Sequence, residues 1–251
     1  MAFQTVFKRY ELKYMLTLEQ KEKILEAMSP YMQLDKYGRT TIRNIYFDTD
    51  NYRLIRRSIE KPAYKEKLRI RSYSRATSDS TVFVELKRKY DKVVYKRRLP
   101  LCVDDAMTWV CRERVCPVNT QISREIDYFI DFYGKLNPTV FLSYEREAYY
   151  DNGEGDFRVT FDDNILCRQT DVNLCSHVYG EPILPDNKVL MELKCSGGIP
   201  LWMVEVLSRE RIYKTSFSKY GTAYSTLIFP KIYLPNSIII NKEIVTNGCD
   251  I

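Results

Sequence analysis

Apolar residues recur at every second position along several stretches of this chain, and the residues between them carry charge. Alternation of this kind marks β-strands, whose successive side chains point to opposite faces. Residues 65–73 read Lys-Glu-Lys-Leu-Arg-Ile-Arg-Ser-Tyr, which sets Lys65, Lys67, Arg69 and Arg71 on one face and Glu66, Leu68, Ile70 and Ser72 on the other. The same design returns at residues 7–16, with Arg9, Glu11 and Lys13 against Tyr10, Leu12 and Tyr14, and at 81–90, with Glu85, Lys87 and Lys89 against Val84 and Leu86. It continues at 93–99 (Lys96, Arg98), 139–149 (Tyr144, Arg146), 157–163 (Arg158, Thr160, Asp162) and 189–195 (Glu192, Lys194). Residues 41–48 add a β-branched and aromatic strand ended by a turn at Asp48, and a short turn at Asp91 makes 81–90 and 93–99 a hairpin.

Elsewhere the apolar spacing is helical. Thr17 and Gln20 have the form of a capping box for a helix that carries Leu18, Ile24, Leu25 and Met28 and is stopped by Pro30. Residues 52–58, 104–115, 123–133, 200–207 and 216–228 are expected helical, with Pro117 separating the second and third and Gly134 closing the third. Residues 237–240 are an apolar segment of strand type, and the polar tail after them has no assigned role. Without repeats, low-complexity segments or a clear linker, one domain over residues 1–251 is expected, with a core from about 7 to 230 and an extension over 231–251.

Four cations in a row on one strand face repel each other, and enclosing them is costly unless anions compensate. A solvated edge strand guarded by Lys and Arg is the alternative for that strand taken alone. About eight strands share the pattern, however, and such strands close naturally into a barrel with a polar lumen. The expected fold class is therefore α+β: a closed antiparallel eight-stranded β-barrel with helices packed around the outside. The charged faces named above would line the lumen, where cations outnumber acids by more than two to one. Such a wall suits a chain of phosphates, and a few carboxylates remain for a hard divalent cation.

Composition narrows the ligand. The formal charge of +6 is moderate and the cations are clustered, which favours an anionic ligand over general adhesion to nucleic acid. The seven cysteines are scattered without a CxxC pair, so neither a disulfide framework nor a zinc site is signalled. No apolar run approaches the ~18 to 20 residues needed to span a bilayer, and the start Met-Ala-Phe-Gln-Thr carries no basic-then-apolar leader. A soluble cytoplasmic protein is expected. His177, in a polar stretch beside Ser176, is not expected to be catalytic; Arg124, Lys135 and Lys188 read as solvated surface, and Tyr46, Tyr73 and Tyr144 as wall packing.

These residues carry a family resemblance. Tyr10-Glu-Leu-Lys-Tyr14, Arg43-Asn-Ile-Tyr-Phe-Asp-Thr49, Lys67-Leu-Arg-Ile-Arg-Ser-Tyr73, Val84-Glu-Leu-Lys87, Tyr144-Glu-Arg146, Arg158-Val-Thr-Phe-Asp162, Met191-Glu-Leu-Lys194 and Ser216-Phe-Ser-Lys-Tyr220, in that order, resemble the VTC (vacuolar transporter chaperone) polyphosphate polymerase domain of the triphosphate tunnel metalloenzymes. The resemblance implies transfer of the γ-phosphate of ATP onto a growing polyphosphate inside a tunnel, with Mn²⁺ or Mg²⁺, and pyrophosphate or triphosphate as further ligands. It implies Lys13, Arg69, Arg71, Lys87, Arg146, Arg158, Lys194 and Lys219 as catalytic phosphate ligands, and Lys67, Lys96, Arg98, Ser218 and Tyr220 as substrate contacts. Glu192 is the implied principal metal ligand, with Glu85 and Glu11 as weaker candidates; Glu11 could equally neutralise Lys13 and Arg9.

The related triphosphatases and cyclases begin Glu-x-Glu-x-Lys, whereas this chain has Arg9-Tyr-Glu11-Leu-Lys13, which favours polymerase over hydrolase. No counterpart of the larger members' membrane spans or phosphate-sensing domain is read here, so coupling of synthesis to export is not part of the expectation. The alternatives are a tripolyphosphatase or nucleoside triphosphatase on the same fold, or a non-catalytic polyphosphate or nucleotide sensor. An RNA-binding surface is poorly supported by the exposed aromatic and Arg pattern.

Overall fold

A computed structural model describes residues 10–91, 93–153 and 155–233. Arg9, the strand expected at 237–240 and Cys249 lie outside the described residues.

The alternating segments form one antiparallel sheet. Its long strands are β1 (Tyr10–Thr17), β3 (Thr40–Asp48), β4 (Tyr64–Ser72), β5 (Thr81–Tyr90), β6 (Val93–Cys102), β7 (Asn137–Asp151), β8 (Arg158–Arg168) and β10 (Lys188–Cys195), with short strands β2 (Met32–Leu34) and β9 (Glu181–Pro182). The order is β1-β10-β8-β7-β3-β4-β5-β6, with β2 on β7 and β9 on β8.

Two expectations are corrected here. The sheet has ten strands rather than eight, because β2 and β9 are three and two residues long, too short to show a period. It is also not closed into a barrel: among the described residues, β1 and β6 do not pair. The free edge of β1 is taken instead by the segment before the C-terminal helices, where Thr215 N–H donates to the Lys13 carbonyl at 2.7 Å and Lys214 bridges to Tyr14. That contact occupies the middle of the edge that β6 would have to pair with. The sheet still curls far enough for side chains to meet across the gap, since Lys87 of β5 reaches Glu11 of β1 at 3.2 Å.

Helices cover the outer face in two patches. Helix α1 (Leu18–Met28) opens with the expected capping box, Gln20 N–H to Thr17 Oγ1 at 3.1 Å and Thr17 N–H to Gln20 Oε1 at 3.0 Å. Ile24 and Met28 of α1 join Met203, Val206 and Leu207 of helix α5 (Leu201–Arg209) over Val159, Phe161, Met191 and Leu193. Helices α3 (Val103–Val110) and α4 (Gln121–Tyr133) lay Trp109, Ile126, Phe129 and Ile130 over Leu68, Ile70, Val84 and Leu86. Helix α3 is shorter than expected because Arg112 turns left-handed at φ 62°, and Gly134 ends α4 at φ 74° as its position predicts.

The remaining helices depart from the expectation that all lie outside. Between α2 (Arg53–Ile59) and the C-terminal run of α6 (Lys219–Ala223), a π-helical turn (Tyr224–Ile228) and α7 (Phe229–Tyr233), the side chains of Ile55, Tyr220, Ala223, Tyr224 and Ile228 pack on Ile42, Tyr46, Val140 and Leu142. Ile42 and Tyr46 alternate with Ile45 and Phe47 of the outer core, so this cluster covers one end of the inner face. Asn164, at φ 44°, breaks the alternation of β8 beside a register shift, and Ile165 and Cys167 thereby join this inner cluster.

Candidate functional site

Register carries the charged faces of the strands onto one wall. Paired residues of antiparallel neighbours share a face, and the pairs Lys13↔Glu192, Lys194↔Arg158, Asp162↔Arg146, Tyr46↔Arg69, Asn44↔Arg71, Arg69↔Glu85, Lys67↔Lys87, Glu85↔Arg98 and Lys87↔Lys96 run across the sheet. Buried acids organise the wall into two clusters.

In the first, Glu85 is 1% exposed. One carboxylate oxygen accepts from Arg69 Nε at 2.9 Å and a second Arg69 nitrogen at 2.7 Å. The other accepts from Arg98 Nε at 2.8 Å and pairs with Lys96 at 2.6 Å. Arg69 also donates to Tyr46 OH at 3.0 Å, and Arg71 donates to Asn44 Oδ1 and Tyr144 OH, each at 2.9 Å. Burial pushes the Glu85 carboxyl up, but Arg71, Arg69, Lys96 and Arg98 outweigh it and hold it well below the usual range.

In the second, Arg146 grips Asp162 with two parallel bonds of 2.6 and 2.7 Å, and Lys219 donates to the same carboxylate. Glu192 lies between Lys194 at 3.0 Å, Lys13 at 3.3 Å, Arg146 at 3.7 Å and Lys219 at 3.8 Å. Glu11 contacts Lys87 at 3.2 Å and Lys13 at 3.5 Å, and Lys87 foremost draws its carboxyl down to about 2. Burial opposes ionisation of Glu192 and Asp162, yet Lys194, Lys13, Lys219 and Arg146 keep the first low, and Arg146 and Lys219 the second. The Tyr144 hydroxyl, pushed up by burial, is drawn below its ordinary value by Arg71, Arg146 and Lys219.

The segment before α6 completes the wall. Ser218 caps α6 by accepting from Gly221 N–H at 3.1 Å and also accepts from Lys67 Nζ at 2.8 Å, while the Phe217 carbonyl accepts from Lys13 Nζ at 2.8 Å. Among the described residues, Lys67 has no carboxylate partner. Burial first, then Lys87, Lys13, Lys65 and Arg69, lower its ammonium to about 7.

The structure thus brings together Lys13, Lys67, Arg69, Arg71, Lys87, Lys96, Arg98, Arg146, Lys194, Ser218 and Lys219. Arg158 shares their face but is exposed at the end of the wall. Tyr220 points away: its OH donates to Asp48 Oδ2 at 3.0 Å, and its ring stacks on Tyr46. Asp48 in turn accepts from the amides of Leu54 and Ile55, so Tyr220 anchors α6 to α2. Of the three candidate metal ligands, Glu85 shares no cation partner with Glu11 or Glu192. Among the described residues no group of three or more His, Cys, Asp or Glu is arranged to hold a metal by itself. Tyr46 and Tyr144 hold arginines as well as packing. Asn44 is the residue that sequence reasoning missed; its place opposite Arg71 in the period of β3 is the signal that could have found it. His177 is exposed beside Arg75, 3.2 Å from its guanidinium and apart from the wall.

A curled antiparallel sheet whose inner wall is built of arginines and lysines around a few neutralised acids defines a protein made to hold a polyanion. The VTC domain model matches residues 8–228, and the chain belongs to that family. A protein of Bacillus halodurans assigned as an adenylate cyclase shares the fold, with a TM-score of 0.53, 15% identity and coverage of 86% of this chain and 96% of its own. The triphosphatase of the Mimivirus capping enzyme aligns at a TM-score of 0.37 and 10% identity, covering 80% of this chain and 87% of its own. No curated protein matches. No helix of the described residues is long and apolar enough to cross a membrane.

Proposed function

We propose that this chain is a cytoplasmic polyphosphate polymerase that moves the γ-phosphoryl group of ATP onto the end of a growing inorganic polyphosphate, with Mn²⁺ or Mg²⁺. The observation that carries this reading is the wall itself, where Arg69, Arg71, Arg146, Lys13, Lys87 and Lys194 converge from five strands while every acid among them is neutralised. Membership of the VTC family supports the same ligand class. Phosphoryl transfer asks mainly for positioning and charge neutralisation, so a wall without a protein nucleophile is sufficient.

In this reading an oxygen of the terminal phosphate attacks the γ-phosphorus. The new P–O–P linkage forms as the bond to the β-phosphate oxygen breaks, and ADP leaves. Arg69, Arg71, Arg146 and, at the mouth, Arg158 grip phosphate oxygens with planar forks, while Lys13, Lys87, Lys194 and Lys219 act as point charges. Lys67, Lys96, Arg98 and Ser218 extend the binding track, and Tyr220 fixes the helix that carries Lys219. The acids hold these cations apart in the free protein, and phosphate oxygens replace them as partners.

The donor set fits a hard divalent cation that takes one or two carboxylates and completes its shell with water and phosphate. Glu192 and Glu11, both beside Lys13, would hold it, and when bound it neutralises charge on the reacting phosphates. The second reading is a triphosphatase on the same fold, in which water takes the place of the terminal phosphate as the attacking group. Incubation with ATP and Mn²⁺, followed by a polyphosphate-stained gel and an orthophosphate assay, separates them. Polymer supports the polymerase; orthophosphate without polymer supports hydrolysis.

A further inference from the structure

Among the described residues, the inner wall carries one buried side-chain polar atom without a partner. Thr160 Oγ1 is buried and makes no hydrogen bond, on a residue that is 6% exposed. The other orphaned buried side-chain atoms among the described residues lie elsewhere. Arg43 and Ser143 are register partners flanked in sequence by the inner-face residues Ile42, Asn44, Leu142 and Tyr144, and Tyr224 packs between Tyr52 and Phe229. A buried hydroxyl left without a partner is unfavourable, so an orphan on a wall made for ligands points to the ligand.

Its neighbours say which kind. Register sets Thr160 opposite Glu192 on β10 and opposite Ala148 on β7. A carboxylate stands on one side, and on the other the facing side chain is only a methyl group, between Arg146 and Tyr150. A phosphate oxygen placed there would face the Glu192 carboxylate, like charge against like. A metal-bound water fits better, because it has protons to donate and this wall, rich in cationic donors, offers few unused acceptors. A magnesium-type cation keeps several such waters when it binds through only one or two carboxylates.

We propose that Thr160 Oγ1 accepts a hydrogen bond from a water on the divalent cation held by Glu192, and so acts as a positioning residue for a hydrated metal site. The inference rests on the reading of Glu192 as a metal ligand. Residues that orient the shell around a metal change its affinity about 10- to 100-fold.

The test titrates Mn²⁺ into the full chain, with free Mn²⁺ read by electron paramagnetic resonance, for wild type, Thr160→Val, Thr160→Ser and Glu192→Gln. Thr160→Val keeps the shape and removes the hydroxyl; it should weaken Mn²⁺ binding about tenfold, with Thr160→Ser restoring it. Metal-free tripolyphosphate should bind Thr160→Val as it binds wild type by calorimetry, and the metal-free melting temperature should not fall. A Val variant that binds Mn²⁺ like wild type, while Glu192→Gln does not, overturns the role of Thr160 and leaves the metal reading standing. Loss of tripolyphosphate affinity in the Val variant without metal makes the hydroxyl a phosphate contact and also overturns it. Mn²⁺ binding that survives Glu192→Gln overturns the metal reading and the Thr160 role with it.

Discussion

Glu85 offers the sharpest perturbation. It is 1% exposed, and its carboxylate accepts from Arg69 and Arg98 and pairs with Lys96, while Arg71 stands 3.9 Å away. Glu85→Gln preserves size but leaves these cations facing each other around a neutral amide. Removing one partner of a buried ion pair costs about 3 to 5 kcal/mol. The lower end applies, because Lys96 and Arg98 are 31% and 33% exposed and water screens part of the repulsion. At about 2 to 4 °C per kcal/mol for a domain of this size, a loss of about 3 kcal/mol lowers the melting temperature by about 6 to 12 °C. A polyanion on the wall resupplies the missing charge, so saturating tripolyphosphate should raise the melting temperature of the variant more than that of wild type. Differential scanning fluorimetry with and without tripolyphosphate measures both shifts. An unchanged melting temperature in the variant, or equal ligand shifts in the two proteins, would refute the account of Glu85 as the internal stand-in for substrate charge.

Lys67 predicts a pH dependence. Its folded pKa is depressed to about 7, so above that pH the free wall loses a charge that a bound polyanion would restore. Tripolyphosphate should therefore bind with net proton uptake near pH 7 to 8 and lose affinity as pH rises; in the free protein, stability falls as pH drops from the ordinary lysine range towards 7, where the unfolded chain takes up the proton first. Calorimetry in buffers of different ionisation enthalpy should show the uptake, and Lys67→Met should reduce it to the share of Lys96, whose ammonium burial and the neighbouring arginines also lower to about 7. Arg71 donates to Asn44 and Tyr144 from two different nitrogens of a buried guanidinium, and a lysine offers only one nitrogen in their place. Arg71→Lys should cost about tenfold or more in tripolyphosphate affinity, and wild-type affinity would remove the geometric part of its role.

What was legible in the sequence was the period. Alternation at residues 65–73 and 81–90 set Arg69, Arg71, Glu85 and Lys87 on one face before any register was known, and Thr17 with Gln20 announced the start of α1. What was not legible depends on contacts between distant segments. Residues 216–218 read as the start of a helix, yet the helix begins only at Lys219, and Lys214 and Thr215 just before them bond to the edge of β1 that a closed barrel would need. The pairing of Asp162 with both Arg146 and Lys219 joins three segments that no local pattern connects. Tyr220, which sits next to Lys219 in sequence, faces Asp48 instead of the wall because a helix turns successive side chains to different sides.

In the proposed reaction this wall holds ATP and polyphosphate while the γ-phosphoryl group moves onto the end of the chain. Phosphorus-31 NMR of the purified protein with ATP and Mn²⁺ tests it most directly, because internal polyphosphate, chain ends and orthophosphate give separate signals in one tube. The account predicts growth of the internal signal as the γ-phosphate of ATP disappears, and loss of that growth in Arg69→Ala and Arg146→Ala variants. Orthophosphate accumulating with no internal signal, or ATP left unchanged in the presence of Mn²⁺ and a polyphosphate primer, would contradict it.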